Sequence, residues 1–152
     1  MQGQISRTLS IILDQFSGSR SDYTTALIIF GLLTLVMVFI EIMMTYATQG
    51  FGFGFSSNRS TQVELSPLAL RIQRAYRNQV ESAAYGVPVL AAAAVTGLQS
   101  GSAETAALLF VIGRIAFALL YYTGIPFARV PAFALATLST FYIAYAMLVG
   151  VA

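Results

Sequence analysis

Cysteine and histidine are both missing from this 152-residue chain. Their absence excludes disulfides, His/Cys metal centres and Cys or His nucleophiles, so any thiol chemistry has to use a substrate's thiol. Lysine is missing too, and all eight basic residues are arginine. A planar guanidinium favours bidentate capture of carboxylate or phosphate, which makes an anionic small molecule the natural partner. Charged residues of any kind are scarce, at 9% of the chain against roughly 25% in an average soluble domain. A net charge of +2 beside a membrane gives no argument for nucleic acid.

What is abundant is apolar: 57% of residues are hydrophobic and the mean hydropathy is +0.76. Long apolar runs read as spanning helices, because every backbone polar group in lipid must be satisfied internally. Four such runs are present: 24–46, the helix from Ser66-Pro67 to about Thr96, 103–123 and 132–151. The expected architecture is an all-α membrane protein, a four-transmembrane-helix bundle. Residues 1–22 form a separate amphipathic segment, with Ile5, Leu9, Ile12, Leu13 and Phe16 on one side and Arg7 and Asp14 opposite; it is expected to lie in the interface, uncleaved. Residues 23–152 form the membrane domain. The Gly-Phe alternation of 51–55 reads as a helix-breaking loop with aromatic anchors, and 124–131 as a tight turn holding Arg129.

The densest charge lies in Arg71-Ile72-Gln73-Arg74-Ala75-Tyr76-Arg77-Asn78-Gln79-Val80-Glu81, which runs straight into the apolar stretch 80–96. With Arg71 at zero on a helical wheel, Arg74, Arg77, Asn78, Glu81 and Tyr85 fall between roughly 240° and 340°. They make one polar strip. The third span carries Arg114 near its middle and Tyr121 two turns on. An arginine at that depth costs about 2.5 kcal/mol or more, so it faces a partner or a wet cavity; pairing with Glu81 or Glu41 to pin helices is the plain alternative to a ligand role. Arg71 and Arg77, at the interfacial helix end, are expected to snorkel to lipid phosphates.

Arginines near the span ends set the orientation. The face of the first and third loops has Arg59, Arg71, Arg74, Arg77 and Arg129, and the opposite face has Arg7 and Arg20, so the first and third loops should be cytoplasmic. Glu41, Arg74, Asn78, Glu81, Tyr121 and Arg129 then share the cytoplasmic half, with Arg114 nearer the midplane. Arginines, one carboxylate, an amide and a phenol suit a ligand with two carboxylates and an ammonium, the pattern of glutathione.

These residues resemble the membrane-associated proteins in eicosanoid and glutathione metabolism, the MAPEG family. The resemblance rests on Arg71-Ile72-Gln73-Arg74-Ala75-x-x-Asn78-x-x-Glu81, on Gly113-Arg114-Ile115 followed by Tyr121, and on Gly124-Ile125-Pro126 leading to Arg129. It implies a homotrimer with sites between neighbouring subunits, opening to the cytoplasm and taking glutathione as co-substrate. By the matching motif positions Arg74 and Asn78 would hold the peptide's carboxylate and backbone groups and Glu81 its amino group. Arg114 and Tyr121 would complete the cavity, and Arg129 would stabilise the thiolate. The chain departs from the pattern at Ser82, where several glutathione-using members carry an aromatic residue, and at Phe117, which replaces a more polar neighbour; no arginine closes the first span.

The thiolate role is physically reasonable. A thiol of pKa near 8.5 is mostly protonated at neutral pH, and an adjacent guanidinium favours the anion; a drop of about two units corresponds to roughly 2.7 kcal/mol. The expected activity is a glutathione-dependent transferase or peroxidase of the bacterial inner membrane, acting on lipophilic electrophiles or lipid hydroperoxides. The alternative is a non-catalytic MAPEG-like subunit that binds lipid or joins a larger membrane complex. No metal is expected.

Overall fold

A computed structural model describes residues 21–57, 65–125 and 127–150. The amphipathic segment expected over 1–22 lies almost wholly outside the described residues, as do Arg59 and Pro126. Among the described residues five helices follow one another: α1 (Asp22–Gln49), α2 (Phe51–Phe55), α3 (Pro67–Thr96), α4 (Gly101–Thr123) and α5 (Arg129–Val149). No strand occurs among the described residues.

Local chemistry sets the helix ends. The Ser21 hydroxyl accepts from the Thr24 N–H at 3.3 Å and Asp22 sits in the first turn of α1, where an acid complements the helix dipole. Ser66 caps α3 by accepting from the Ala69 N–H at 3.2 Å, and Pro67 takes the first helical position, whose missing N–H costs nothing there. At the far end Gly97 adopts φ +63°, which lets the Leu98 N–H reach back to the Ala93 carbonyl at 3.1 Å and close the last turn.

Two expectations need correction. The Phe-Gly stretch forms the short helix α2, whose Phe51 stacks on Tyr46 at 5.0 Å between ring centroids; the aromatic contacts compensate for the glycines. Arg129 does not sit in a turn but opens α5, with Pro131 in the same first turn, where proline displaces no intrahelical donor.

Helices α1, α4 and α5 are each long and apolar enough to cross a membrane. The protein is an integral membrane protein. Helix α3 carries its charges in its first half. The interior is built from small residues: Ala103, Ala106, Ala107 and Gly113 are buried on α4, and Ala132, Ala136 and Ala146 on α5. A Cβ on Gly113 would lie 2.9 Å from both the Ala132 carbonyl oxygen and the Ala136 nitrogen, so the two backbones are in direct contact, the packing mode that replaces hydrophobic drive in lipid. Tyr23, Phe30, Leu90, Phe110 and Ile143 fill the main core, and Met37, Ala75 and Ala118 a second one nearer the α4–α5 turn.

Candidate functional site

The inward face of α3 is not its polar strip. The buried positions Ile72, Ala75, Gln79, Ser82 and Gly86 fall between roughly 20° and 100° on the same wheel, about 130° from the centre of the strip. Arg74, Arg77 and Glu81 are exposed and point away from the other helices, and Asn78, at the strip's edge, is half-buried. Glu81 accepts from Arg77 Nε at 3.1 Å, one turn away on the same surface. This is the one ion pair among the described residues, and its 82% and 58% exposed side chains place it among the weak ones. Arg77 is therefore joined to the strip rather than set apart from it.

Arg114 is fully buried, 0% exposed. Its partners are neither Glu81 nor Glu41 but two amides. Nε and Nη2 donate to Gln79 Oε1 at 3.0 and 2.9 Å, and Nη1 donates to Asn78 Oδ1 at 3.0 Å. Gln79 Nε2 in turn donates to the Thr34 hydroxyl at 3.0 Å, and that hydroxyl donates to the Phe30 carbonyl at 2.8 Å. The network ties α1, α3 and α4 together while leaving the guanidinium charge without a carboxylate.

From Arg114 an aromatic ladder climbs toward the α4–α5 turn. The Arg114 guanidinium lies 4.8 Å from the Phe117 ring centroid, Phe117 meets Tyr121 at 5.3 Å, and the Arg129 guanidinium lies 4.5 Å from the Tyr121 ring. Each arginine rests on a negative π face. The fold thus brings Asn78, Arg114, Tyr121 and Arg129 into one connected set, whereas Arg74 and Glu81 stay on the outer surface of α3. Arg71 packs beside the α4–α5 turn: a Cβ on Gly124 would stand 3.2 Å from its Nη1. Among the described residues its Nε is buried without a hydrogen-bond partner.

A second line of contacts leads into an apolar cleft. The Ser82 hydroxyl donates to the Asn78 carbonyl at 2.8 Å, the Tyr85 hydroxyl donates to Ser82 at 3.1 Å, and Tyr85 lies 3.4 Å from the Thr137 hydroxyl on α5. Beyond Tyr85 a cleft of about 340 Å³ opens between α3 and α5, lined by Val89, Thr137, Thr140, Phe141 and Ala144.

Sequence reasoning missed Gln79 and the bridging position of Phe117. Gln79 lies off the polar strip, on the small-residue face between Ala75 and Ser82. That position was the usable signal, since a lone amide among buried alanines, serines and glycines needs a partner, and α4 offers one mid-helix guanidinium. Phe117 is more than a departure in sequence, because its ring bridges Arg114 and Tyr121. Among the described residues no group of His, Cys, Asp or Glu is placed to hold a metal.

No curated protein and no solved structure matches the chain. Residues 24–149, from the start of α1 to the end of α5, match the model of the MAPEG family, and the chain belongs to that family.

Proposed function

We propose that the protein is a glutathione-dependent transferase or peroxidase for lipophilic substrates, assembled as a homotrimer with its sites between subunits. One observation carries the reading. Arg74, Arg77 and Glu81 form an exposed polar face on a helix of a membrane protein, next to Asn78 and its buried arginine. Glu81, just inside the span, is costly facing lipid, and a neighbouring copy would cover it and the two arginines beside it while closing a cavity. The 17 residues of α3 from Val80 to Thr96 extend about 25 Å at 1.5 Å each, nearly the hydrocarbon thickness, so α3 serves as the fourth span. The first and third loops face the cytoplasm of a bacterial inner membrane.

In this site Arg74 and Asn78 hold the carboxylate and backbone groups of glutathione. Glu81 turns from Arg77 to the ammonium, and Arg114 and Tyr121 support the wall. Arg129, steadied on the Tyr121 ring, holds the sulfur as thiolate, its proton passing to solvent. The thiolate forms a sulfur–carbon bond with an electrophilic lipid, and the displaced electron pair leaves with the departing group or moves onto an adjacent acceptor atom. With a hydroperoxide, two glutathione molecules supply two electrons, giving an alcohol, water and glutathione disulfide. The cleft beyond Tyr85 has the size of a small-ligand pocket and seats the apolar part of the second substrate.

Calorimetric titration of the detergent-purified protein with glutathione, followed by ultraviolet difference absorbance of the thiolate, tests the reading. Saturable binding with a thiolate signal that Arg129→Ala abolishes is the expected result. No binding at millimolar glutathione would overturn it and favour the accessory-subunit alternative, in which the Arg77–Glu81 pair stays closed and gentle-detergent preparations contain other chains in fixed ratio.

A further inference from the structure

The hydrogen bonds around Arg114 have only one possible direction. A guanidinium has five donors and no acceptor, so the atoms of Gln79 and Asn78 that touch it must be their amide oxygens. Gln79 spends its oxygen on Nε and Nη2 of Arg114 and its nitrogen on Thr34. The Thr34 proton is committed to the Phe30 carbonyl, which leaves the hydroxyl oxygen free to accept. Asn78 spends its side-chain oxygen on Nη1. Every step is fixed except the Asn78 side-chain nitrogen, which has no hydrogen-bond partner among the described residues.

The geometry points to a positioning role for Gln79: through Arg114 it presents Asn78 to the ligand as a hydrogen-bond donor only, so the group docking there is an acceptor, a carbonyl or carboxylate oxygen. This rests on the reading that the Asn78 side of α3 faces glutathione, and it adds what that reading does not contain, namely which end of the amide is offered and which residue enforces it. An unanchored asparagine can turn its amide over and offer either end. Here a turn would set two donors against each other beside a buried charge. The charge acts in the same sense. Because Arg114 has no carboxylate partner, its field draws electron density toward the Asn78 oxygen and strengthens the N–H groups on the far side, as in any polarised chain of hydrogen bonds in a low-dielectric interior. Ser82 fixes the other side of the residue by donating to the Asn78 backbone carbonyl at 2.8 Å.

Three variants test this by glutathione calorimetry. Gln79→Glu keeps an oxygen where Arg114 needs one; it gives the guanidinium a carboxylate, so it loses the polarisation but keeps the orientation, and should bind within about threefold of the parent. Gln79→Leu, checked for folding by its melting curve and elution profile, should bind at least about tenfold more weakly. Asn78→Asp keeps the acceptor for Arg114 and removes the donor. It should melt at or above the parent temperature yet bind at least about tenfold more weakly, even in about 0.5 M NaCl, where screening confines charge repulsion to about 4 Å. Asn78→Asp binding like the parent would overturn the donor assignment, as would Gln79→Glu losing as much as a folded Gln79→Leu. Should Gln79→Leu not fold, Gln79→Glu binding at least about tenfold more weakly than the parent, or Asn78→Asp binding like it, still overturns the proposal. The Arg114 Nε–H resonance gives a readout without ligand: slow solvent exchange in the parent and in Gln79→Glu supports the placement, and fast exchange in the parent overturns it. A parent protein that keeps the slow Nε–H but binds no glutathione would instead defeat the glutathione reading.

Discussion

Replacing Gly113 with alanine isolates the backbone contact on which the α4–α5 pair is built. The new methyl would meet the Ala132 carbonyl oxygen and the Ala136 nitrogen at 2.9 Å and the Ala136 Cβ at 3.1 Å. Favourable carbon contacts lie near 3.5–4.0 Å, so the helices must separate by about half an ångström or more. No flexible side-chain tip can yield, because two of the three atoms belong to the α5 backbone. Overpacking of this kind costs about 1–3 kcal/mol, partly offset by the roughly 1 kcal/mol that alanine gains over glycine inside a helix. A net loss of up to about 2 kcal/mol is expected, or a melting point lower by roughly 4–8 °C for a chain of this length. Gly31, on the exposed side of α1, has nothing within 4 Å of its added Cβ and is the control: Gly31→Ala should gain about 1 kcal/mol. Melting of both variants by circular dichroism in a mild detergent separates the terms. Gly113→Ala melting at or above Gly31→Ala would refute the close-contact reading of the α4–α5 seam.

Arg114→Lys should destabilise by about 3 kcal/mol or more: an ammonium cannot place two donors on Gln79 and a third on Asn78, and hydrogen bonds to a charged group are worth about 1.5–3 kcal/mol each; urea unfolding with an unchanged slope would check it. Gly124→Ala should lower stability by about 1–2 kcal/mol, because φ there is +81° and the methyl crowds the Arg71 guanidinium; a melting point equal to the parent's would contradict it. Phe117→Leu removes the ring between Arg114 and Tyr121, and should weaken the thiolate signal while leaving the helix content by circular dichroism unchanged.

Much of the fold could be read from short-range chemistry. Ser66-Pro67 marked the start of α3, and Gly97 and Gly124 sit where the helices stop. The start of α5 was not legible, because Pro131 suggests a turn when the residues before it are read alone, while in the structure it occupies a first turn that needs no donor from it. From span boundaries and depth the grouping of Asn78, Arg114, Tyr121 and Arg129 followed, but Arg74 and Glu81, expected with them, stay on the outer surface of α3. The direction of the strip did not, because a wheel shows which residues share a face but not which face turns inward. In lipid both faces of a helix can be apolar, and the inward one is marked by small size: Ala75, Ser82, Gly86 and Ala93 on α3. Gln79 escaped for the same reason. Its partner sits 35 residues away on another helix, and no single-helix pattern connects them.

On the intersubunit site proposed above, the outward-facing strip would tie together two measurements that are usually made separately. When a ligand occupies a surface that a second chain must complete, the free energy of ligation and the free energy of assembly share one term, so each shifts the other by the same amount. Diluting the protein in detergent should weaken its apparent affinity, and saturating ligand should resist that dilution. On that proposal, a binding isotherm for this chain has no meaning until the protein concentration beside it is stated.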